Sequence, residues 1–304
     1  MSETQAGQDQ ATATEQAQAG GDVATSSLWG DAWRQLRSSP MFIISALLLV
    51  TFIVMAIAPQ LFTSVDPRSC PLSNSLQRPG GDHWFGTDVQ GCDYYARVVY
   101  GARISMTVGM LVTAGTLLIA IVLGLVAGFY GGWIDAIISR VVDMVFALPF
   151  ILGAIVFLNV IENRGVWQIS FVLIIFSWTT MTRLMRSSVI AAKSNEYVSA
   201  ARALGASDVR IMRQHILPNA LAPLVVYATV FIGLIIAAEA TLTFLGVGVQ
   251  LPSISWGLQL SEAQSRILTH PHLVLFPAIF VGLTVFAFVM MGDALRDALD
   301  PKQR

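Results

Sequence analysis

The chain has 304 residues, of which 55% are hydrophobic and only 12% are charged. Soluble domains carry about 25% charged residues, so this composition predicts a membrane-embedded protein. The net charge of -1 provides no basic excess to neutralise phosphates, which argues against a nucleic-acid partner. The two cysteines and four histidines lack the spacing of a zinc site. We therefore expect this chain to bind no metal and no cofactor of its own.

The N-terminal segment is polar and has no Lys or Arg before residue 34. A secretory signal begins with basic residues, so we interpret residues 1–26 as a disordered tail. Residues 27–40 place Leu28, Trp29 and Trp33 on one helical face. This pattern predicts an interfacial amphipathic helix on the cytosolic surface. The alternative is a helix docked on the protein itself.

Six apolar runs are long enough to cross a bilayer. The first covers residues 41–62, and a loop over 63–103 separates it from a five-helix core over 104–295. We expect a C-terminal tail over 296–304 to follow the core. The remaining runs cover residues 104–129, 137–161, 166–190, 218–245 and 273–291. The sequence therefore predicts an all-α integral membrane protein.

The distribution of basic residues predicts the orientation of the spans. With the N-terminus in the cytosol, two thirds of the 18 Lys and Arg residues fall in cytosolic segments. Cytosolic loops carry such an excess. The bias predicts that the N- and C-termini are cytosolic and that the 63–103 loop is extracytoplasmic.

The segment over residues 194–217 lies between the fourth and fifth spans. Strong helix formers predict a short helix from Glu196 to Leu204, and Gly205 supplies a left-handed stop. Ser207 can cap a second helix, and we expect Pro218 to end the cytosolic piece. Neighbouring alanines leave a smooth helix face that another protein can approach closely. The alternative is a solvated connector.

This segment resembles the signature loop of binding-protein-dependent ABC importer permeases. Ala200, Ala201, Gly205, Leu217 and Pro218 stand in the register of that motif. Two positions depart from it, with serine at 199 and histidine at 215, and both departures resemble the peptide and nickel importer branch. The resemblance implies a coupling helix that contacts a partner ATPase, with these residues at the contact: Glu196, Tyr197, Ala200, Ala201, Arg202, Gly205 and Ala206.

Three other segments resemble the C-type permease of dipeptide and oligopeptide importers. They begin at His83, Thr243 and Gly292, in the family's order. The resemblance covers about residue 30 to the end. It implies the type I ABC importer permease fold, a second homologous permease, two ABC ATPase domains and an extracytoplasmic peptide-binding protein. ATP and Mg would be bound by the ATPase subunits.

Three residues are candidates for the translocation pathway or a gate. Glu239 lies inside an apolar span, where a carboxylate costs roughly 2.5–3.5 kcal/mol at the centre and usually faces the bundle interior or water. It could line the pathway, close the outer gate, or serve helix packing or a partner subunit. Asp143 can form an ion pair with Arg183, although arginine side chains near the inner end of a span more often extend to the lipid headgroups. Phe244 lies at the end of the same span as Glu239.

Two further pairs suggest structural contacts. Cys70 and Cys92 share the 63–103 loop, and an oxidising compartment would permit a disulfide; two free thiols are the alternative. Gly124 and Gly128 form a Gly-x-x-x-Gly pattern that lets helices approach closely. We expect this pattern to pair helices within the chain rather than to dimerise it.

The resemblance thus implies that this multi-pass chain is a permease subunit of the bacterial cytoplasmic membrane, which imports di- or oligopeptides by ATP-driven alternating access. Nickel, glutathione or oligosaccharide are alternative substrates. An ATP-independent secondary transporter is a further alternative, but it would need intramembrane charges arranged for ion coupling. No Walker A, HExxH or GxSxG motif occurs in the sequence, so we expect a transport subunit rather than an enzyme.

Overall fold

The computed structural model describes residues 36–299 together with Gly30, Trp33 and Arg34. The predicted tail over 1–26 and residues 300–304 lie outside this part. The described helices are α1 (Pro40–Ile57), α2 (Tyr94–Tyr130), α3 (Gly132–Phe146), α4 (Phe150–Val160), α5 (Val166–Lys193), α6 (Glu196–Ala203), α7 (Asp208–Phe244), α8 (Trp256–Ala263) and α9 (His272–Leu299). Helices α1, α2, α5, α7 and α9 are each long and apolar enough to cross a membrane.

The third predicted span is a broken one. Neither α3 nor α4 is long enough to cross a membrane alone, but the two together are. They are bent by 78° relative to each other at residues 147–149. Pro149 stands at the break as the N-cap of α4. Proline has no N–H to donate and disfavours helical backbone in the preceding residue. Among the described residues, the fold therefore has five unbroken helices that are long and apolar enough to span a membrane, with a bent pair at the position of the sixth.

Local caps move several boundaries away from those predicted. Helix α2 begins ten residues before the predicted start at 104, because the Asp93 side chain accepts a hydrogen bond from the Ala96 N–H and caps the helix. At the other end of the chain, α9 continues to Leu299, so the helix covers the first residues of the predicted 296–304 tail.

Helices α2 and α5 approach closely at the predicted glycine pair. A Cβ atom on Gly124 would lie 2.6 Å from the Met185 Cβ, and one on Gly128 would lie 2.8 Å from the Val189 Cβ. Only glycine permits this distance. The expectation that the motif pairs helices within the chain is confirmed.

Two large apolar clusters fill the bundle. One joins α2, α5 and α7 and extends into α6, and the other joins α1, α2, α8 and α9. Helix α7 runs between α6 at its start and α8 beyond its end, a span of about 55 Å for its 37 residues. We refer to the two ends of the bundle as the α6 end and the α8 end.

The predicted interfacial helix is only partly described. Leu36 is buried against Ala294 and Ala298 near the end of α9, whereas Trp33 is 60% exposed. The contact of Leu36 favours docking on the protein at this residue. Leu28 and Trp29 lie outside the described residues.

Candidate functional site

The short helix α6 ends as its sequence predicts. Gly205 has a φ of +80°, in the left-handed region. The Gly205 N–H donates to the Arg202 carbonyl and the Ala206 N–H donates to the Ala201 carbonyl, at 3.0 and 3.1 Å. These two bonds form a Schellman motif, which satisfies the last carbonyls of the helix. The chain can therefore reverse within a few residues and enter α7.

Helix α6 has an inner and an outer face. Val198 and Ala201 are buried and belong to the same apolar cluster as Ile211 and Ile216 at the start of α7. Ala206 is half-buried against this cluster. The inner face thus attaches α6 to α7, so the structure separates two adjacent candidates: Ala201 packs inward and Ala200 is exposed.

The outer face of α6 presents apolar side chains that none of the described residues covers. Leu204 is 88% exposed and Tyr197 41% exposed, and Val209 in the first turn of α7 is 66% exposed. We call Tyr197, Ala200, Leu204 and Val209 the coupling surface. Glu196 and Arg202 are exposed beside it. An exposed apolar patch of this kind marks a surface that contacts another protein or the membrane.

The junction between α6 and α7 contains a π-helical segment, Ile211–Ile216. Pro218 has no N–H, so the carbonyl four residues before it lacks its usual α-helical partner. The wider π turn supplies other donors, and the Asn219 side-chain amide donates to the His215 carbonyl at 2.7 Å. Pro218 stands in the first turn of the α-helical stretch Leu217–Phe244, as expected for a proline that opens a span, although α7 as a whole runs without a break from Asp208. That Pro218 ends the cytosolic piece stays a prediction.

The predicted cap of this second helix is only half correct. Ser207 occupies the N-cap position of α7, but its side chain makes no capping hydrogen bond. Asp208 lies in the first turn, where its charge faces the helix dipole favourably.

Two ion pairs join α3 to α5 near the α6 end. Arg183 contacts Asp143 at 2.8 Å, and its guanidinium also lies 4.2 Å from the centre of the Phe146 ring. Arg186 contacts both carboxylate oxygens of Asp135, at 2.5 and 2.6 Å. The structure thus brings together the predicted Asp143–Arg183 pair, and sequence reasoning missed Asp135.

The chain matches two family models. Residues 120–304 match the binding-protein-dependent transport system inner membrane component, and residues 27–79 match the N-terminal TM domain of oligopeptide transport permease C. The chain belongs to the family of binding-protein-dependent transport system inner membrane components.

The relatives of this permease are peptide and glutathione permeases. It is 42% identical to the dipeptide transport system permease protein of Alkalihalophilus pseudofirmus, with 91% of each chain covered. It is 38% identical to the oligopeptide transport system permease protein of Bacillus subtilis, again with 91% of each chain covered. A glutathione transport system permease protein from Escherichia coli is 38% identical, with 90% of each chain covered.

Solved structures share the fold of this permease. An inward-facing conformation of the MetNI methionine ABC transporter matches with a TM-score of 0.55 and 20% identity, covering 67% of this chain and 96% of that chain. An amino acid ABC transporter with histidines matches with a TM-score of 0.53 and 15% identity, covering 66% and 92%. The all-α type I ABC importer permease fold is therefore confirmed.

At the α8 end of the permease, Glu239 and Phe244 occupy different surroundings. Glu239 is fully buried and accepts hydrogen bonds from three hydroxyl groups. Phe244 is half-buried and lines an apolar groove of about 600 Å³ between α7 and α9. A role of either residue in the pathway remains a prediction.

The loop before α2 is fastened to the α8 end. The structure joins Cys70 and Cys92 in a disulfide. Asp88 accepts hydrogen bonds from the Gln90 and Cys92 N–H groups and forms an ion pair with buried Arg97. These contacts hold the loop on the first turn of α2.

Helix α8 also takes part in the charged group around Arg97. Arg97 also contacts Glu262 of α8 at 3.1 Å. Burial raises the pKa of the Glu262 carboxyl, and the Arg97 charge partly opposes that shift. Among the described residues, no three His, Cys, Asp or Glu side chains form a group that could hold a metal ion.

Sequence reasoning missed Leu204 and Val209 in the coupling surface and Arg97 at the α8 end. The spacing of Tyr197, Ala200 and Leu204 places them on one face of α6, and this signal was readable. Arg97 gave no comparable signal, since its partner Glu262 is 165 residues away in sequence.

Proposed function

We propose that this permease carries di- or oligopeptides across the bacterial cytoplasmic membrane as one subunit of an ATP-driven importer. The observation that carries this proposal is the similarity over about nine tenths of the chain to dipeptide and oligopeptide permeases. The coupling surface supports the ATP-driven part of the proposal. It offers exposed apolar side chains on a helix that is fastened to a spanning helix.

The assembly we propose contains a second homologous permease, two ABC ATPase domains and an extracytoplasmic peptide-binding protein. ATP and Mg would be bound by the ATPase subunits, whose closure would push on the coupling surface. Val198 and Ala201 would pass that movement through Ile211 to α7. The cavity between the two permeases would then change the side to which it opens, as in alternating access between two states.

The orientation we propose places the α6 end in the cytosol. The basic residues near this end, including Arg183, Arg202 and Arg210, follow the cytosolic excess of positive charge. Both termini would then be cytosolic. The cysteine pair at the α8 end would face the oxidising side of the membrane, where disulfides persist.

Glutathione is the alternative substrate that a specific observation favours, because glutathione permeases are 38% identical over 90% of this chain. Glutathione is itself a small peptide, so the same pathway could admit both.

Uptake by the reconstituted complex tests the proposal. Proteoliposomes containing both permeases, the ATPases and the binding protein would be given labelled dipeptide, oligopeptide, glutathione, nickel or oligosaccharide. We expect ATP-dependent accumulation of a peptide. Uptake of nickel or oligosaccharide without peptide would contradict the proposed substrate, and uptake without ATP would contradict the proposed mechanism.

A further inference from the structure

We propose that Glu239 is a positioning residue: through three hydroxyl groups it fixes the segment between α7 and α8 against α2, so that α8 moves with α7 during transport. The inference rests on the transport function proposed above, but it concerns how one part of this chain is held. It assigns Glu239 to internal contacts rather than to the lining of the pathway.

The Glu239 carboxylate accepts one hydroxyl hydrogen bond from each of three segments, which are α2, α7 and the residues just before α8. Ser105 of α2 lies 3.2 Å from Oε2, while Thr243 of α7 and Ser255 before α8 lie 2.9 and 3.2 Å from Oε1. Glu239 is 0% exposed, and the three hydroxyl residues are at most 1% exposed. Water therefore does not compete for these bonds, and a buried polar atom that lost such a bond would be left without a replacement partner.

Each of the three hydroxyls also accepts a main-chain N–H. The Trp256 N–H donates to Ser105 at 3.3 Å and the Leu258 N–H donates to Ser255 at 3.1 Å. The Val249 N–H donates to Thr243 at 3.2 Å. A hydroxyl oxygen that accepts a hydrogen bond from an N–H can still donate its own hydrogen to another acceptor. Here the acceptor within hydrogen-bond distance is the Glu239 carboxylate. Glu239 thus orders the backbone from Val249 to Leu258 through these relays.

The start of α8 is also attached directly to α2. The Trp256 indole N–H donates to the Val98 carbonyl at 2.8 Å, and the Gln259 amide donates to the Arg97 carbonyl at 2.7 Å. A Cβ atom on Gly257 would lie 2.7 Å from the Ala240 Cα. With backbones this close, a change in the position of Glu239 cannot be absorbed by loose packing. Helices α2, α7 and α8 therefore form one unit at this end.

A carboxylate suits this position because it has two acceptor oxygens and no donor. A glutamine has the same shape but keeps only one acceptor oxygen. It can therefore accept the hydroxyl hydrogen bonds on one side of the network and not those on the other. An alanine removes both acceptors, so the three buried hydroxyls keep their main-chain N–H donors but lose the acceptor for their own hydrogens, which is costly. This difference makes the glutamine and alanine variants a graded test.

The test uses the assembled complex and compares Glu239→Gln, Glu239→Ala and Thr243→Val with the control Thr116→Val. Thr116 is also 0% exposed and also bonds a hydroxyl, that of Ser177 at 3.2 Å, but it lies outside the network. Hydrogen exchange measured by mass spectrometry would report the amides of residues 245–263 separately from the rest of the chain. Uptake kinetics would give kcat and KM for the same preparations.

We expect exchange over residues 245–263 to rise by about tenfold or more in Glu239→Ala, and by less in Glu239→Gln and Thr243→Val. Exchange elsewhere should be unchanged, and Thr116→Val should resemble the unaltered chain in this segment. Uptake should lose kcat with KM retained, because binding-protein delivery of peptide does not involve the network.

Unchanged exchange over 245–263 in Glu239→Ala, or an equal rise along the whole chain, would overturn the proposal. A rise in KM with kcat retained would also overturn it, since that result would place Glu239 at the peptide. Should Glu239→Ala fail to assemble, Thr243→Val carries the same comparison with Thr116→Val. A complex that imports nothing even with the unaltered chain would contradict the proposed function instead.

Discussion

The two ends of α7 are built differently. At the α6 end, a short helix is held by apolar contacts of Val198 and Ala201 and leaves Leu204 88% exposed. At the α8 end, the short helix is held by side-chain hydrogen bonds from Ser255, Trp256 and Gln259. The first end leaves apolar surface for another protein to cover. The second end pairs most of its buried polar groups within this chain, although Gln259 Oε1 and Arg97 Nε have no partner among the described residues.

This difference assigns the two ends different mechanical roles. Apolar packing is non-directional, so α6 can shift slightly on Ile211 and Ile216 as a partner moves. Hydrogen bonds depend strongly on angle and distance, so α8 is held in one position relative to α2 and α7. A movement that enters at α6 should therefore arrive at α8 as a rigid displacement of the α2–α7–α8 unit.

The largest effect is expected from a charge in the coupling surface. Leu204→Glu should reduce ATP-dependent peptide uptake by about tenfold or more, because truncating or charging a central apolar contact of an interface costs at least about 2 kcal/mol. Uptake into proteoliposomes measures it. Leu268→Glu is the matched control, since Leu268 is 94% exposed near the α8 end. Equal loss in both variants would remove the distinction between the two ends.

Two serines at N-cap positions allow a finer comparison of the α6 end with the α8 end. Ser255 caps α8 with a bond to the Leu258 N–H, whereas Ser207 stands at the N-cap of α7 without a side-chain bond. Ser255→Ala should lower the stability of the complex by about 1–2 kcal/mol, and Ser207→Ala by much less. Thermal unfolding of the two purified complexes reports the difference. A larger drop for Ser207→Ala would show that the α6 end depends on a cap that the structure does not contain.

The backbone turn after α6 is the next test. Gly205→Ala should cost about 1 kcal/mol, since an L-residue is strained at a φ of +80° even though its Cβ would meet open space. Gly282 in α9 also has open space around it but no positive φ, so Gly282→Ala should be neutral or stabilising. The midpoints of thermal unfolding of the two variants distinguish backbone strain at Gly205 from a general effect of replacing glycine by alanine. A destabilising Gly282→Ala of the same size would mean that backbone strain is not the cause.

The smallest effects are expected at the α3–α5 ion pairs. The Asp135–Arg186 pair is bidentate and more buried than Asp143–Arg183. Double-mutant cycles with Asp→Asn and Arg→Gln should give about 0.2–1 kcal/mol for the exposed pair and more for the bidentate one. Equal coupling energies would indicate that solvent screens both pairs alike.

Local features were predictable from sequence, and contacts between distant segments were not. The start of α6 at Glu196 and the left-handed Gly205 follow from helix formers and a glycine. By contrast, Ser105 lies 134 residues from Glu239 and Arg97 lies 165 residues from Glu262. Nothing in the sequence around either member identifies its partner. Pro149 within the third apolar run indicates a kink at this position, but the 78° angle does not follow from the sequence, because a proline in a span permits a kink of any size.

Site-specific photo-crosslinking from position 204 would show whether the coupling surface contacts an ATPase subunit. A benzophenone amino acid would replace Leu204 in the full complex, and a second preparation would carry it at Leu268. We expect position 204 to crosslink to an ATPase subunit with a yield that changes when ATP is added, whereas position 268 should not reach that subunit. Crosslinks from position 204 to lipid alone, or ATPase crosslinks from position 268, would contradict this expectation.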